Sequence, residues 1–372
     1  MKNLTQDNEL KELHKLIKLL YTSITYKNFM EYSEKIVAIV RKNNLKGYDE
    51  IIKLYNINKY NRRYNIDLNR NFSDVLNSNK FNELTLIKNI DIDLNDIILF
   101  ATCRNEIHKL DKFFEHYEKL GIKQFIIIDN NSNDGSFEYL KNKSNVLLYF
   151  TKHSYKNSKF GIQWINALIS EYKTNNWKLV VDIDELFVYY NYENISIHEY
   201  SKQLESENYD MASGTMIDMI PINKNINEDK SINFDDCNYF YNSFFFINNY
   251  LPPYTITKGG LYNSISPTFW LHISKCPFFK SNDLKFLAST HFSTPLKTKI
   301  NGCCLLHYKY IGEFKDKFID EIARSEHALN SKNYKHYIKI TEENYFQKVL
   351  NPELLTKYIN SQQLLDLNLL VK

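Results

Sequence analysis

Four short apolar runs separated by amphipathic helical stretches constrain this chain more than any other feature. The runs are "IILFAT" (97–102), "QFIIID" (124–129), "VLLYF" (146–150) and the "LVV" of "WKLVVDIDELF" (179–181). Between the first two, Leu110, Phe113, Phe114, Tyr117 and Leu120 recur at helical spacing, and Gly121 follows where a left-handed helix cap belongs. A short helix is predicted over 136–141 and a longer one over 158–172, the latter carrying Phe160, Trp164, Ile165 and Leu168. Strand and helix in strict alternation predict parallel strands joined by right-handed crossovers. In such a sheet the ligand crevice lies at the carboxyl ends of the strands. Three of those ends are polar: "CRNE", "DNNSNDGS" and "DIDE".

The last of these raises a physical problem. Asp182, Asp184 and Glu185 crowd the tip of a buried strand, where they repel one another and resist burial. A turn just after the strand lets both aspartates approach one centre. Hard oxygen ligands of this kind suit magnesium or manganese, which bind one or two protein carboxylates together with substrate phosphates. A divalent cation with a nucleotide diphosphate would answer the problem.

The flanking regions read differently. Residues 8–56 show helical periodicity in Leu10, Leu13, Ile17 and Leu20 and again in Phe29, Tyr32, Ile36 and Val40, with a third short helix over 49–55. The predicted organisation is an N-terminal helical unit (1–66), a polar connecting segment (67–95), an α/β domain (96–312) and a helical C-terminal extension (313–372). The aromatic stretch 239–250 reads as loop. Residues 1–66 carry 13 Lys/Arg against 7 Asp/Glu, a solvated basic face or a contact surface for an anionic inner membrane or a partner enzyme. The whole chain carries a net charge of only +3, with no basic block interleaved with aromatics, which argues against a nucleic-acid partner. No signal peptide or spanning helix is expected, and 5 scattered cysteines fit reduced thiols, so a cytoplasmic location is expected.

The segments "CRNEIHKLDKFFEHYEKLGIKQFIIIDNNSNDGSFEYL", "SKFGIQWINAL" and "WKLVVDIDELFVY" resemble the glycosyltransferase family 2-like group, and within it a bacterial branch pairing Arg-Asn-Glu with Asp-Asn-x-Ser-x-Asp-Gly and Asp-x-Asp-Glu. "TKGG", "SKCPFF", "LLHYK", "IARSEH" and "SQQLLDLNLL" extend the likeness over roughly 97–372. The resemblance implies a GT-A fold, a Rossmann-like and mostly parallel sheet flanked by helices. It also implies transfer of a sugar from a nucleotide-diphosphate donor of the UDP type to a glycan or lipid-linked acceptor, in capsule or lipooligosaccharide synthesis. Arg104, Asn105 and Glu106 would line the nucleotide pocket, and Asp129 would hydrogen-bond the base. Asp182 would meet the ribose, the metal or a metal-bound water, Asp184 would bind Mn2+ or Mg2+ directly, and Glu185 would orient the pair or reach the sugar. His307 would complete the metal set, with His291 its competitor. From their place on the helix before the metal strand, Lys159 and Asn166 read either as diphosphate and sugar contacts or as plain helix-surface residues.

The chain departs from that pattern in two places. Asn130-Asn131 stands where a second aspartate is usual, and the usual Glu-Asp base is not evident. Asp218 and His291 are the candidates to take a proton from the acceptor hydroxyl. Gly259-Gly260 would let backbone approach a ligand closely. Trp164 reads as core, whereas Trp270 and the 239–250 aromatics read as packing or sugar-stacking residues. Arg324, Glu326 and His327 read as a salt-bridged helix face or an acceptor contact. Two other functions remain open: a sugar-phosphate nucleotidyltransferase, against which the glycine-free loop "ATCRNEIHK" counts, and a non-catalytic binding protein on a degenerate fold.

Overall fold

The fold was taken from a computed structural model, which describes residues 26–42, 78–174, 176–222, 231–248, 252–265, 273–287, 289–312, 314–324 and 350–372, with positions 9, 11–13, 15, 16, 75 and 326. The chain divides into two units, Met1–Asp74 and Val75–Lys372. In the first, helix α1 (Tyr26–Lys42) buries Ile36, Val37 and Val40, and Lys42 pairs with Glu9. The expected helical turns through Leu10, Ile17 and Leu20, and the helix over 49–55, lie outside the described residues.

The second unit is built on a nine-stranded sheet. Along the chain come β1 (Thr85–Lys88), β2 (Ile98–Cys103), α2 (Ile107–Leu120), β3 (Phe125–Asp129), α3 (Ser136–Asn142), β4 (Val146–Phe150), α4 (Ile162–Glu171), β5 (Lys178–Val180) and β6 (Glu185–Val188). They are followed by α5 (Ile197–Ser206), β7 (Met211–Asp218), β8 (Tyr239–Tyr241), β9 (Phe244–Asn248), β10 (Thr255–Gly259), α6 (Gly260–Ile265), β11 (Ser274–Phe279), β12 (Thr298–His307), α7 (Phe314–Arg324), β13 (Leu355–Lys357) and α8 (Ser361–Asp366). The sheet order is β1-β4-β3-β2-β5-β11-β7-β12-β6. Strands β2 to β5, β7 and β12 run one way, while β1, β11 and β6 run against them. This is an α/β, Rossmann-like architecture with a mixed but mostly co-directional sheet.

The apolar runs are continuous because both faces are covered. Ile97, Leu99 and Ala101 pack with Phe113, Phe114 and Tyr117 of α2 on one face. Ile98 and Phe100 pack with Trp164, Ile165 and Leu168 of α4 on the other. Strand alternation sends neighbours to opposite sides, so one short run serves two cores. A third cluster joins β6, β7 and β12 to α7, α8 and the C-terminal residues Leu369 and Leu370. Gly121 caps α2 at φ 104, in the left-handed region.

Several expectations change on this framework. Helix α4 starts at Ile162 rather than at 158, because Lys159, Phe160 and Gly161 all take positive φ (54, 59 and 76) and cannot continue a right-handed helix. The 239–250 stretch contains strands β8 and β9 rather than loop alone. Residues after 313 are not all helical, since β13 pairs with β8 through Leu355 and Tyr241. Gly259, at φ 103, is required by the chain itself and not by a ligand: a Cβ there would lie 1.8 Å from the Ser243 carbonyl oxygen.

Candidate functional site

The acid-rich turn follows from topology. Between Val180 and Glu185 the chain leaves β5, in the middle of the sheet, and enters β6 at its edge. Asp182, Ile183 and Asp184 therefore cross the rim where β7 ends at Asp218, β12 ends at His307, and antiparallel β11 begins at Ser274. Tyr117 of α2 fixes the exit of this turn. Its hydroxyl donates to the Glu185 carbonyl at 2.8 Å and accepts from the Phe187 amide at 3.0 Å.

Two of the three acids are answered by one lysine. Lys275 Nζ lies 2.6 Å from Asp182 Oδ2 and 2.5 Å from Glu185 Oε1, and its side chain is only 4% exposed. Glu185 Oε2 also accepts from the Asp182 amide at 3.1 Å. Burial pulls the Glu185 carboxyl up to about 7 against the attraction of Lys275. Burial alone would lower Lys275, but the two carboxylates hold it above the ordinary lysine range.

Asp184 has different partners. His307 Nε2 lies 3.3 Å from Asp184 Oδ2, and His307 Nδ1 lies 2.6 Å from Asp218 Oδ1. Lys109 Nζ stands 3.7 Å from the same Asp184 oxygen. Burial opposes ionisation of Asp184, yet His307 and Lys109 hold its carboxyl well below the usual range. Burial likewise opposes the imidazolium, and Asp184 with Asp218 raises His307 to about 9. Lys109 continues the alternation of charge. It binds Glu106 at 2.8 Å, and Glu106 is held on its other oxygen by Lys317 of α7.

The acid turn, Lys275, His307, Glu106 and Lys317 face a cavity of about 270 Å³ at the rim. Of the residues expected in the site, Arg104, Glu106, Asp182, Asp184, Glu185, His291 and His307 line it. Others do not. Asp218 lies behind His307 as its hydrogen-bond acceptor, so it is placed to orient the imidazole rather than to meet an acceptor. Asp129 is fully buried under the rim. Its Oδ1 accepts from the Ser132 amide at 2.9 Å, and among the described residues its buried Oδ2 has no hydrogen-bond partner. Desolvation raises that carboxyl, and Asn130 takes its place on the wall. Asn105 pins a loop instead, receiving the Asn133 amide at 2.9 Å, and lines a neighbouring cavity. Lys159 sits in the left-handed turn before α4, off the wall. Asn166 is spent on the Phe286 backbone, donating at 2.9 Å and accepting at 2.9 Å. Trp164 is core, with its indole N–H on Glu83 at 2.7 Å. Trp270 and His327 lie outside the described residues. Glu326 receives Ser154 Oγ at 2.6 Å and the Lys156 amide at 2.8 Å, and so holds the loop after β4.

Geometry fixes the tautomer of neutral His291. Its Nδ1 lies 2.7 Å from the Ser274 carbonyl, which can only accept, so Nδ1 carries the proton and Nε2 the lone pair. Burial and the nearby Lys275 lower its pKa to about 3.

Sequence reading missed Lys275, Lys309 and Lys317, all of which line the cavity, as does Arg324, read from sequence as a helix-face ion pair or an acceptor contact. Lys275 and Lys309 lie inside the quoted segments "SKCPFF" and "LLHYK", but in a lysine-rich chain neither stood out. Lys317 and Arg324 are seven residues apart on α7, a spacing that puts them on one helix face.

Asp184 and His307 suit a divalent cation. Two ligands at adjacent octahedral corners of a Mg2+-sized ion stand about 3 Å apart, and the two side chains are 3.3 Å apart. The carboxylate behind His307 is the usual device for orienting a metal-binding imidazole. Asp182 is not in this pairing, because its Oδ2 is held by Lys275. Among the described residues no group of three or more such donors is arranged around one point.

No family model matches the chain, and no curated protein matches it. Solved structures give weak likenesses. One is described as a glucose-1-phosphate thymidylyltransferase from Bacillus anthracis in complex with sucrose, with 12% identity, TM-score 0.25, and coverage of 65% of this chain and 82% of the other. A UDP-glucose pyrophosphorylase complexed with UDP-glucose matches at 9% identity and TM-score 0.25, over 67% of this chain and 87% of the other. At such TM-scores the likenesses carry no argument about activity. No helix among the described residues is long and apolar enough to cross a membrane.

Proposed function

We propose that this chain is a glycosyltransferase of the family 2-like group, with a GT-A fold, that moves a sugar from a nucleotide-diphosphate donor of the UDP type to a glycan or lipid-linked acceptor in bacterial surface-glycan synthesis. One observation carries the reading. Asp184 and His307, more than a hundred residues apart in sequence, meet at 3.3 Å on the wall of the rim cavity, with Asp218 holding the second ring nitrogen of His307.

In this reading Asp184 and His307 hold Mn2+ or Mg2+. The ion, when bound, supplies charge stabilisation to the departing diphosphate. The chain's own residues do the rest. Asp218 keeps the proton on His307 Nδ1 and leaves Nε2 to face the cavity. Lys275 locks Asp182 and Glu185, so that the turn presents Asp184 in one orientation. His291, with Nδ1 fixed on the Ser274 carbonyl, offers Nε2 to the acceptor hydroxyl. A diphosphate in the same cavity would raise the basicity of that nitrogen.

The test is turnover of a panel of UDP-sugars, alone and with candidate acceptors, in the presence of Mn2+. Wild-type protein is expected to release UDP, and Asp184→Ala to lower the rate about a hundredfold or more. Full activity in the variant would remove the metal assignment, and no turnover of any sugar nucleotide would remove the enzymatic one.

A further inference from the structure

Lys109 is a cation in a place that helix chemistry does not favour. It occupies the first turn of α2, where the helix dipole prefers acids to bases, and its side chain is only 5% exposed. A buried ammonium needs partners of opposite charge. Lys109 Nζ lies 2.8 Å from Glu106 Oε2 and 3.7 Å from Asp184 Oδ2, the same oxygen that His307 approaches at 3.3 Å. The ammonium therefore stands between two carboxylates, nearer to Glu106 than to Asp184.

Both carboxylates are also held from the far side. Glu106 gives its other oxygen to Lys317 of α7, and Asp184 meets His307. Helix α2 sets the spacing between ammonium and turn. Lys109 and Tyr117 lie on one face of α2, two turns apart, and Tyr117 grips the exit of the acid turn through the Glu185 carbonyl and the Phe187 amide. The helix that carries the ammonium thus also positions the turn that carries Asp184. Lys109 borders the neighbouring cavity of about 280 Å³, with Glu106, Asp134, Asp316 and Asp320 on the same wall. A long lysine side chain has acid-lined space there to move into. A divalent ion bonded to Asp184 would set its double charge against the ammonium in a setting with little water, where repulsion is strong.

We infer that Lys109 is the resident counter-cation of Asp184 and competes with a divalent ion for it, so that affinity for the ion is set by how firmly Glu106 holds the ammonium. The inference rests on the proposed reading that Asp184 and His307 are metal ligands. Lys109 is then neither a ligand nor a catalytic residue. It balances the Asp184 carboxylate, and it shifts toward Glu106 and the neighbouring cavity as the ion enters. Removing its charge favours the ion, whereas releasing it from Glu106 opposes the ion.

Titration of Mn2+ into the full chain without nucleotide, followed by calorimetry and by water-proton relaxation, tests this. Lys109→Met is expected to bind Mn2+ about tenfold or more tightly than wild type, and Lys109→Arg, which keeps the charge, no more tightly. Glu106→Gln is expected to weaken binding about threefold or more, and the double variant Glu106→Gln with Lys109→Met to lose that weakening. A folding defect loosens a site, so it cannot produce the gain; circular dichroism checks the other variants. Weaker or equal binding in folded Lys109→Met, or unchanged binding in Glu106→Gln, would overturn the inference and leave the metal assignment standing. No Mn2+ binding by wild type or any variant would remove the metal assignment and the inference with it.

Discussion

The two halves of the sheet bring opposite charge to one rim. The first half, β2 to β5 with its helical crossovers and the turn from β5 into β6, supplies Glu106, Asp182, Asp184 and Glu185 to the cavity. The second half, β7, β11, β12 and the helix α7 beyond, supplies Lys275, His307, Lys309, Lys317 and Arg324. Arg104 and Lys109 are the basic exceptions on the first side, and Asp218 is the acidic one on the second. The difference explains how three acids tolerate the end of a core strand. The cations that neutralise them arrive more than eighty residues later, on strands that run beside the acid turn. An acidic cluster legible in a local stretch can thus be completed by groups that local reading cannot see.

Breaking the comparison at its most buried point gives the largest effect. Lys275→Met leaves Glu185, which is 0% exposed, without its counter-charge. A loss of about 3–5 kcal/mol in urea unfolding is expected, with much of it recovered by adding Glu185→Gln. A stable single variant would mean that the acids do not depend on the second half.

The second prediction concerns the seam between α2 and the edge strand β6. His116 Nε2 donates to the Phe187 carbonyl at 2.8 Å, and burial lowers the ring's pKa from 6.5 to about 4. The folded state therefore refuses a proton that the unfolded chain accepts. Stability is full above 6.5 and falls as the pH drops from there toward 4, by about 3 kcal/mol in all. His116→Gln should flatten that part of the stability profile relative to wild type; equal slopes would refute the half-buried neutral histidine.

Smaller effects sharpen the second half alone. Asp218→Asn should weaken Mn2+ binding about 10–100-fold by releasing His307 from its orientation, as read by manganese relaxation or calorimetry. Unchanged affinity would show that His307 is not a ligand. Glu326→Ala should lower stability by only about 1–2 kcal/mol, and limited proteolysis should open first at the loop after β4, which Glu326 holds through Ser154 and Lys156.

Much of the first half was readable because its signals are local. A five-residue apolar run, a 3.6-residue periodicity and a glycine cap each declare themselves within a dozen residues, and β2, α2, β3, α3, β4 and β5 stand where expected. The start of α4 was misplaced because the strain at Lys159 and Phe160 is imposed by surrounding structure, not by composition. The second half was poorly legible. Strands β7, β11 and β12 pair across long stretches of chain, and β9 reads as an aromatic loop until its partner β10 is known. The same locality governs the site. Asp182 and Asp184 were visible as a motif, but that Asp182 belongs to Lys275 while Asp184 belongs to His307 is a fact of sheet order. The resemblance gives Asp129 a contact with the base, whereas its depth below the rim, at 0% exposure, is set by packing that no motif shows.

The most direct measurement is a crystal of the full chain soaked with UDP and Mn2+, with anomalous diffraction collected at the manganese edge. The account expects one manganese peak within bonding distance of Asp184 and His307, with the diphosphate in the rim cavity beside it. Manganese and nucleotide bound away from this rim, or a rim that stays empty at saturating concentrations of both, would contradict it.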